Sequence, residues 1–429
     1  MGFQPKNPEL SYDARSNFGK KGWWIIVFTA MNWFMFSTLN IIPMNLIVPE
    51  RAAQLGVDPG ALLSFNTPGG YVSLVFIFFL GKIAKAKGVK LTSGVNLILA
   101  AIAVVFWGAA GTVAGYIVAL FMVLCFTGGM ELTTNMMVTN WFPRKKGIAI
   151  GWSTMGLNVS SATAAAIYVG IAARNQGNFS VGLYIMAGVT IALAIVTFTA
   201  FRNYPEEWGV YPDNDPNSPK RDYMKPRTGW TSLSVLKQKE TWKLGFGNGV
   251  LGMTTWGFVS TLIPTMLIKG LPMPTALLMM TVASAIGAVG SYFWGFMDQK
   301  FGVQRAATYL SIWLIVAIAF LFVPGQAGAW IYVILFAMTI GGTNNYPPSM
   351  TAQVFGRDGA SVAYPMVHII KTAIMFVVYT ILGQSLRLSG NYNYGWIVII
   401  VLIIIAIIVF YNTNFYPKKD PIDSKATEE

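Results

Sequence analysis

Residues 128–147 read GGMELTTNMMVTNWFPRKKG, and the order of these residues decides the fold. An apolar run enters from the left, a single acid at Glu131 interrupts it, and Trp141-Phe142-Pro143 ends it against three adjacent cations, Arg144, Lys145 and Lys146. A helix crossing hydrocarbon needs about 20 mostly apolar residues, and loops on the inner side of a membrane collect Lys and Arg. The stretch therefore reads as the end of a membrane span running into an inner loop.

The same pattern governs the whole chain. Its 429 residues are 54% hydrophobic and only 11% charged, with a formal charge of +13. Soluble domains carry about 25% charged residues, so there is too little polar material here to face water. Such a basic balance would suggest nucleic acid if the cations lay on a polar domain. They lie between apolar segments, which favours topology and argues against a nucleic-acid partner. The lone cysteine, Cys125, sits in an apolar run. It excludes an intrachain disulfide framework and a multi-cysteine metal site, and reads as a small buried hydrophobe. The first apolar segment is too long for a signal-peptide core and lacks a small-residue cleavage site, so it counts as a span.

Spans are expected near 23–48, 62–81, 92–112, 115–141, 147–172 and 181–202, then 243–268, 274–297, 304–323, 328–354, 360–386 and 394–416. Twelve spans put both termini on one side. With the N-terminus inside, 25 of the Lys and Arg residues fall on inner segments, against Arg51, Arg174, Lys269 and Arg387 outside. The positive-inside rule then makes both termini cytoplasmic, in a multi-pass protein of the cell membrane.

The quoted stretch has a distant copy. GGMELTTNMMVTNWF (128–142) aligns without a gap with GGTNNYPPSMTAQVF (341–355), an offset of 213, and GKIAKAKG (81–88) aligns with GFMDQKFG (295–302), an offset of 214. The expected fold class is an all-α membrane protein, with twelve transmembrane helices in two parallel six-helix bundles. The domains are an N-terminal tail (1–22), a first bundle (23–202), a cytoplasmic linker (203–242), a second bundle (243–416) and a C-terminal tail (417–429). The linker, rich in Pro, Asp and Asn, reads as solvated, and TSLSVLKQKETWK (231–243) as a short amphipathic helix on the inner surface. In the stretch itself, Trp141 and Phe142 suit the membrane interface, and Gly147 and Gly151 form a small-xxx-small step for close helix packing.

Two six-helix repeats joined by an inner linker resemble the major facilitator superfamily, whose halves are parallel repeats. GKIAKAKGVK (81–90) and GFMDQKFGVQR (295–305) are similar to the loop motif after the second helix of each half in that family. The match is partial, with Lys85 and Gln299 at the motif's aspartate position and Asp298 one residue early. Lys85, Asp298, Arg144 and Arg357 are the gating-loop candidates this implies. NWFPRKKGIAIG (140–151) resembles the Trp-Phe-Pro loop of oxalate/formate antiporter-like and related monocarboxylate porters, and PEEWGVYPDN (205–214) is similar to a linker segment of bacterial members. The resemblance implies transport by alternating access about a midplane site, with a basic residue of the eleventh helix holding substrate. Such porters carry a second cation in the eighth helix; span eight here has none, which implies a monoanion or a larger amphipathic acid.

An ionisable residue inside the bilayer is costly and is a functional candidate by default. Glu131, His368 and Lys371 stand well within spans. At about 1.5 Å per residue, Glu131 and Lys371 are both roughly 15 Å from the inner face. Tyr364, His368 and Lys371, spaced by four and three, share a helix face; an ammonium beside two hydrogen-bond donors suits a carboxylate. Equally, Lys371 and Glu131 could form an internal pair serving gating alone, and His368 could be a satisfied core histidine. Because burial disfavours a charged carboxylate, Glu131 is also the candidate for a coupling proton. Softer candidates are Asn135, one turn from Glu131; Asn344, its repeat partner; Asn345 and Tyr346, before a kink expected at Pro347-Pro348; Asn32, Phe36 and Asn40 on span one; and Thr255 and Trp256 mid-span seven. Helix–helix hydrogen bonding explains each as well as cavity lining does. Trp256 and Tyr346 are candidates to sandwich an apolar substrate body.

The expected activity is secondary transport of a small organic anion by a monomer in the bilayer, with protons as possible co-substrate and no cofactor or metal. The alternative is proton-coupled export of hydrophobic or cationic compounds anchored on Glu131. No HExxH, nucleophile elbow or phosphate loop is present, which argues against an enzyme and against ATP-driven transport; a channel would need a filter segment, and none is found.

Overall fold

The computed structural model describes residues 17–143, 145–216, 228–416, 418 and 421. Arg144, the linker residues 217–227, most of both tails, and the side chains of Lys85 and Arg357 lie outside the described residues. Regular structure among the described residues is helical throughout. Among the described residues twelve helices are long and apolar enough to cross a membrane: α1 Gly19–Leu55, α2 Pro59–Ala84, α3 Val89–Ala109, α4 Val113–Trp141, α5 Ile148–Arg174, α6 Ser180–Ala200, α7 Lys239–Ile268, α8 Met273–Asp298, α9 Val303–Phe322, α10 Gly325–Gly356, α11 Val362–Ser389 and α12 Asn393–Tyr411. Within the first half α1 packs on α5, α2 on α4 and α3 on α6; in the second half α7 packs on α11, α8 on α10 and α9 on α12.

The repeat is written into the packing. Cβ atoms at Gly128 and Gly129 would collide with Ile77 and Leu80, and Cβ atoms at Gly341 and Gly342 with Ser291 and Trp294, the corresponding residues of the second half. Turn glycines in the left-handed region pair likewise: Gly56 with Gly270 (φ 66° and 82°), Gly88 with Gly302 (90° and 82°), and Gly177 with Gly390 (83° and 67°). Each stops a helix at a conformation that other residues adopt only at a cost.

Helix breaks follow proline in two spans. Pro43 and Pro68 cannot donate backbone hydrogen bonds and crowd the carbonyl four residues back, and α1 is interrupted at Asn40 and α2 at Phe65. The kink expected at Pro347-Pro348 lies elsewhere: α10 is interrupted at Met338–Thr339, and both prolines sit within the following helix. In α11 the break falls at Phe376.

The loop after α4 is buried rather than interfacial. Trp141 and Phe142 are 2% and 1% exposed, because the chain after α6 folds back over them. Trp208 meets Trp141 edge-on at 5.3 Å, Trp141 Nε1 donates to the Arg202 carbonyl at 3.1 Å, and Phe18 covers Phe142 at 5.1 Å. Asp213, itself buried, takes a positive φ of 58° and accepts the Lys145 backbone N–H at 2.9 Å. Lys145 Nζ donates to the Asn17 and Asp213 carbonyls. Desolvation lowers the Lys145 ammonium from its usual range, against the pull of Asp213 and Asp215. A solvated connector would need none of this; residues 202–216 form a strap on the first half. A second strap serves the second half. Trp230 meets Phe355 edge-on at 5.3 Å, Lys418 pairs with Glu240 at 2.7 Å, and the Lys418 backbone N–H donates to the Val354 carbonyl at 2.9 Å. The amphipathic helix expected over 231–243 is a short turn of helix, Ser232–Leu236, followed by α7. Gly151 meets nothing; the close approach of α5 to α1 occurs at Gly156, where a Cβ would overlap the Ala30 carbonyl.

The halves meet through α1 with α7, α2 with α11, and α5 with α8. Asn45 donates from Nδ2 to the Val259 carbonyl at 2.9 Å and accepts the Ile263 N–H on Oδ1 at 3.3 Å, so its amide engages both ends of one rung of α7. Thr67 repeats the device on α11: its hydroxyl donates to the Phe376 carbonyl at 2.6 Å and accepts the Thr380 N–H at 3.1 Å. Beside it Gly60 and Gly383 touch backbone to backbone, with no room for a Cβ on either. Thr281 Oγ1 donates to the Ala162 carbonyl at 2.8 Å. All these bonds lie in the half of the molecule away from the basic loops; among the described residues none joins the halves at the basic end.

Thr67→Val keeps the shape of residue 67 but removes both of its hydrogen bonds to the backbone of α11, at about 1 kcal/mol in a membrane. Gly383→Val forces the helices apart. Both should separate the far ends, read as a longer distance between spin labels at positions 58 and 387; an unchanged distance would refute this seal. Asp213→Ala should lower stability by about 1–3 kcal/mol through the orphaned Lys145 N–H, seen as a lower thermal midpoint in detergent, with Asp213→Asn costing less.

Candidate functional site

The interrupted helices set the site. The break in α1 places Asn40 where its Nδ2 donates to Thr127 Oγ1 of α4 at 3.1 Å, one helical turn from Glu131. On α11, Tyr364 and His368 lie ring to ring at 5.6 Å, and Lys371 follows one turn on, 7% exposed. Glycines on α7 make room for this face: the Lys371 carbonyl packs over Gly249, and Lys371 Cε would lie 3.5 Å from a Cβ at Gly252. Four residues further along α7 stands Trp256.

Glu131 of the first half is electrostatically coupled to Lys371 and Tyr364 of the second. Among the described residues, neither the Glu131 carboxylate nor the Lys371 ammonium has a hydrogen-bond or ion-pair partner. His368 Nδ1 and the neighbouring Thr372 Oγ1 are buried and unpartnered as well.

Aromatic rings close the site toward the far end. Phe36 meets Trp33 at 5.5 Å and Trp256 at 6.2 Å, Trp256 meets Phe376 at 6.3 Å, and Phe376 meets Tyr379 at 6.2 Å. The row crosses from the first half to the second between Phe36 and Trp256. Trp33, Thr372 and Phe376 are members that the sequence reading did not single out. Trp33 and Thr372 had one signal, adjacency to Asn32 and Lys371, and Phe376 had none that stood out among 28 Phe, 18 Tyr and 14 Trp.

The softer candidates divide. Asn32 is 1% exposed with both amide atoms unpartnered, and Asn135 is half-buried one turn from Glu131. Asn344 and Asn345 are exposed on α10, the first donating to the Ile340 carbonyl of its own helix at 3.3 Å and the second to the Ser291 carbonyl of α8 at 3.2 Å. Tyr346 turns away: it is fully buried and donates to the Trp294 carbonyl at 3.2 Å. Thr255 shares a hydrogen bond with Thr343 at 2.7 Å. Of the gating candidates, Asp298 accepts from Ser349 Oγ at 2.7 Å, tying α8 to α10.

Comparison with known proteins agrees with this architecture. A family model for the Major Facilitator Superfamily matches residues 22–364. A solved structure of a bacterial homologue of the human lysosomal transporter Spinster, inward-facing and unoccupied, superposes with a TM-score of 0.69 at 15% identity, covering 94% of this chain and 97% of that one. The inward-facing, occupied form gives 0.70 at 14% identity over 90% and 96%. No curated protein matches by sequence. The chain belongs to the Major Facilitator Superfamily.

Proposed function

From this membership, we propose that the protein is a secondary transporter of a small organic anion, a monocarboxylate or a larger amphipathic carboxylic acid. It works as a monomer by alternating access across the cell membrane, coupled to proton symport or to anion exchange. The carrying observation is Lys371: a buried ammonium, on one face with Tyr364 and His368, with no hydrogen-bond or ion-pair partner among the described residues. An unpaired charge in that setting is costly, and an arriving carboxylate removes the cost. Glu131 across the interface is suited to carry the coupling proton, since a neutral carboxyl is the cheaper form in low dielectric.

Three further observations support the reading. The loop NWFPRKKG resembles that of oxalate/formate antiporter-like porters. The lack of Lys or Arg in α8 suits one carboxylate rather than two. With the basic loops assigned to the cytoplasm, the contacts of Asn45 and Thr67 between the halves take the place of an outer gate. The rival is export of cationic compounds on Glu131, which the aromatic row would also serve through cation–π contact.

Uptake into proteoliposomes separates the two. Lys371→Ala should reduce uptake of a panel of carboxylates about a hundredfold, the scale of removing one buried charged partner. Glu131→Gln should remove the response to a pH gradient. Intact carboxylate uptake in Lys371→Ala would overturn the anion reading. Loss of cation transport in Glu131→Gln alone would favour the rival, and uptake indifferent to both a pH gradient and preloaded substrate would leave facilitated diffusion.

A further inference from the structure

The outer surface of α9 carries a stripe that the repeat does not explain. Arg305, Tyr309, Ile312 and Val316 are all exposed and are spaced by four, three and four, so they share one face of the helix. At an offset of 214 the first half has Leu91, Val95, Ile98 and Ile102 on α3, and Leu99 where the second has Trp313. A helix face turned to hydrocarbon needs only aliphatic side chains, as α3 shows. The arginine, the tyrosine and the tryptophan of α9 are additions to that need.

The surface between α9 and α10 is hollow at the same place. Tyr309, Ile312, Trp313 and Val316 of α9 and Leu335 of α10 line a groove of about 290 Å³. One wall is pinned by the break in α10. There the Thr339 N–H turns to the Phe336 carbonyl at 2.9 Å, and Trp313 Nε1 takes the Leu335 carbonyl at 2.8 Å. From Tyr309 to Val316 the groove runs roughly 10 Å along the helix, at about 1.5 Å per residue. Its volume over that length is a section of roughly 30 Å², against about 80 Å² for even a slender helix 10 Å across. A single hydrocarbon chain fits; a helix of a second copy does not.

The basic end of the groove is cationic. Helical side chains lean toward the N-terminus, which carries the exposed Arg305 stem past Tyr309 toward the start of α9. Phe301 meets Tyr309 edge-on at 5.8 Å, and the Lys300 ammonium stands over Phe301 at 5.3 Å and over Phe296 at 5.7 Å. The acid of that region, Asp298, is occupied by Ser349 of α10. Among the described residues neither Lys300 nor Arg305 has an ion-pair partner, and the Tyr309 hydroxyl has no hydrogen-bond partner. Two cations and a hydroxyl at the end of an apolar groove complement a phosphate attached to a hydrocarbon chain.

We infer that this groove binds an anionic phospholipid from the leaflet at the basic end, one acyl chain lying along Tyr309, Trp313 and Val316 and the phosphate held by Arg305 and Lys300. The site belongs to the second half alone and is independent of what the centre of the molecule carries.

Native mass spectrometry of the full-length protein, delipidated in detergent, tests this with phosphatidylglycerol and phosphatidylcholine of identical chains. Phosphatidylglycerol should bind at least about tenfold more tightly, the scale of two cations near a lipid phosphate. Arg305→Gln combined with Lys300→Gln should bring the two lipids to parity while phosphatidylcholine binding persists, which also shows that this variant is folded. Val316→Trp, which fills the groove and keeps both cations, should weaken phosphatidylglycerol severalfold. Lys82→Gln combined with Lys87→Gln removes two exposed cations from the first half and should leave the preference intact. Equal binding of the two lipids by the wild-type protein would overturn the inference. So would undiminished binding by Val316→Trp, an equal loss of preference in the Lys82 and Lys87 variant, or a dimer that takes up no lipid.

Discussion

Asn45 and Thr67 hold the two halves together through bonds of one kind: a side chain from the first half takes the carbonyl and the N–H of a single helical rung in the second. In hydrocarbon every backbone polar group needs a partner within the protein, which makes such a contact both strong and reversible. When the side chain withdraws, the two backbone groups it held are those of residues four apart, and they can bond each other. Opening the far end thus exchanges bonds without orphaning backbone groups. The Gly60–Gly383 approach works the same way, since bare backbone surfaces part without leaving an interlocked side chain behind. A seal of this construction suits a molecule with two stable packings separated by little free energy.

Behind that seal the symmetry of the fold and the asymmetry of the site are in tension. Glycine pairs, turn conformations and helix partners all repeat at offsets of 213 or 214. The charges do not: the repeat partner of Glu131 is Asn344, and that of Lys371 is Asn158. The duplicated scaffold is shared by both halves, and the membrane-embedded acid and base are departures from it. Placing the acid in one half and the base in the other makes their separation a function of conformation, so whatever bridges them also biases the arrangement of the halves.

The parts legible in the sequence are those governed by solvent and period. Span number and the repeat follow from hydropathy and internal alignment, and they stand in the structure. What was illegible depends on the partner of a given face. Trp141 and Phe142 look like interfacial aromatics until Trp208 and Phe18 are found lying on them. Tyr346, one residue past Asn345, points into its own half because Trp294 offers a carbonyl there. Pro43 and Pro68 announce the breaks in α1 and α2, whereas the break at Phe376 has no local cause. Its ligand, Thr67, is 309 residues away in the chain. Gly151 and Gly156 are indistinguishable by spacing; only the path of α1 makes the second the close contact.

The straps show how each half anchors its own stretch of the connecting chain. Residues 202–216 are bonded to the first half through Trp208 and Asp213, and the segment from Trp230 to Glu240 is bonded to the second through Phe355 and Lys418. Each strap grips the loop that its own half places at the basic end, the two loops being copies of one another. Among the described residues no strap bond crosses between halves. A bond that did cross would add its free energy to one state and tilt the equilibrium the transporter needs near balance. The bonds of each strap to its own half stiffen that half.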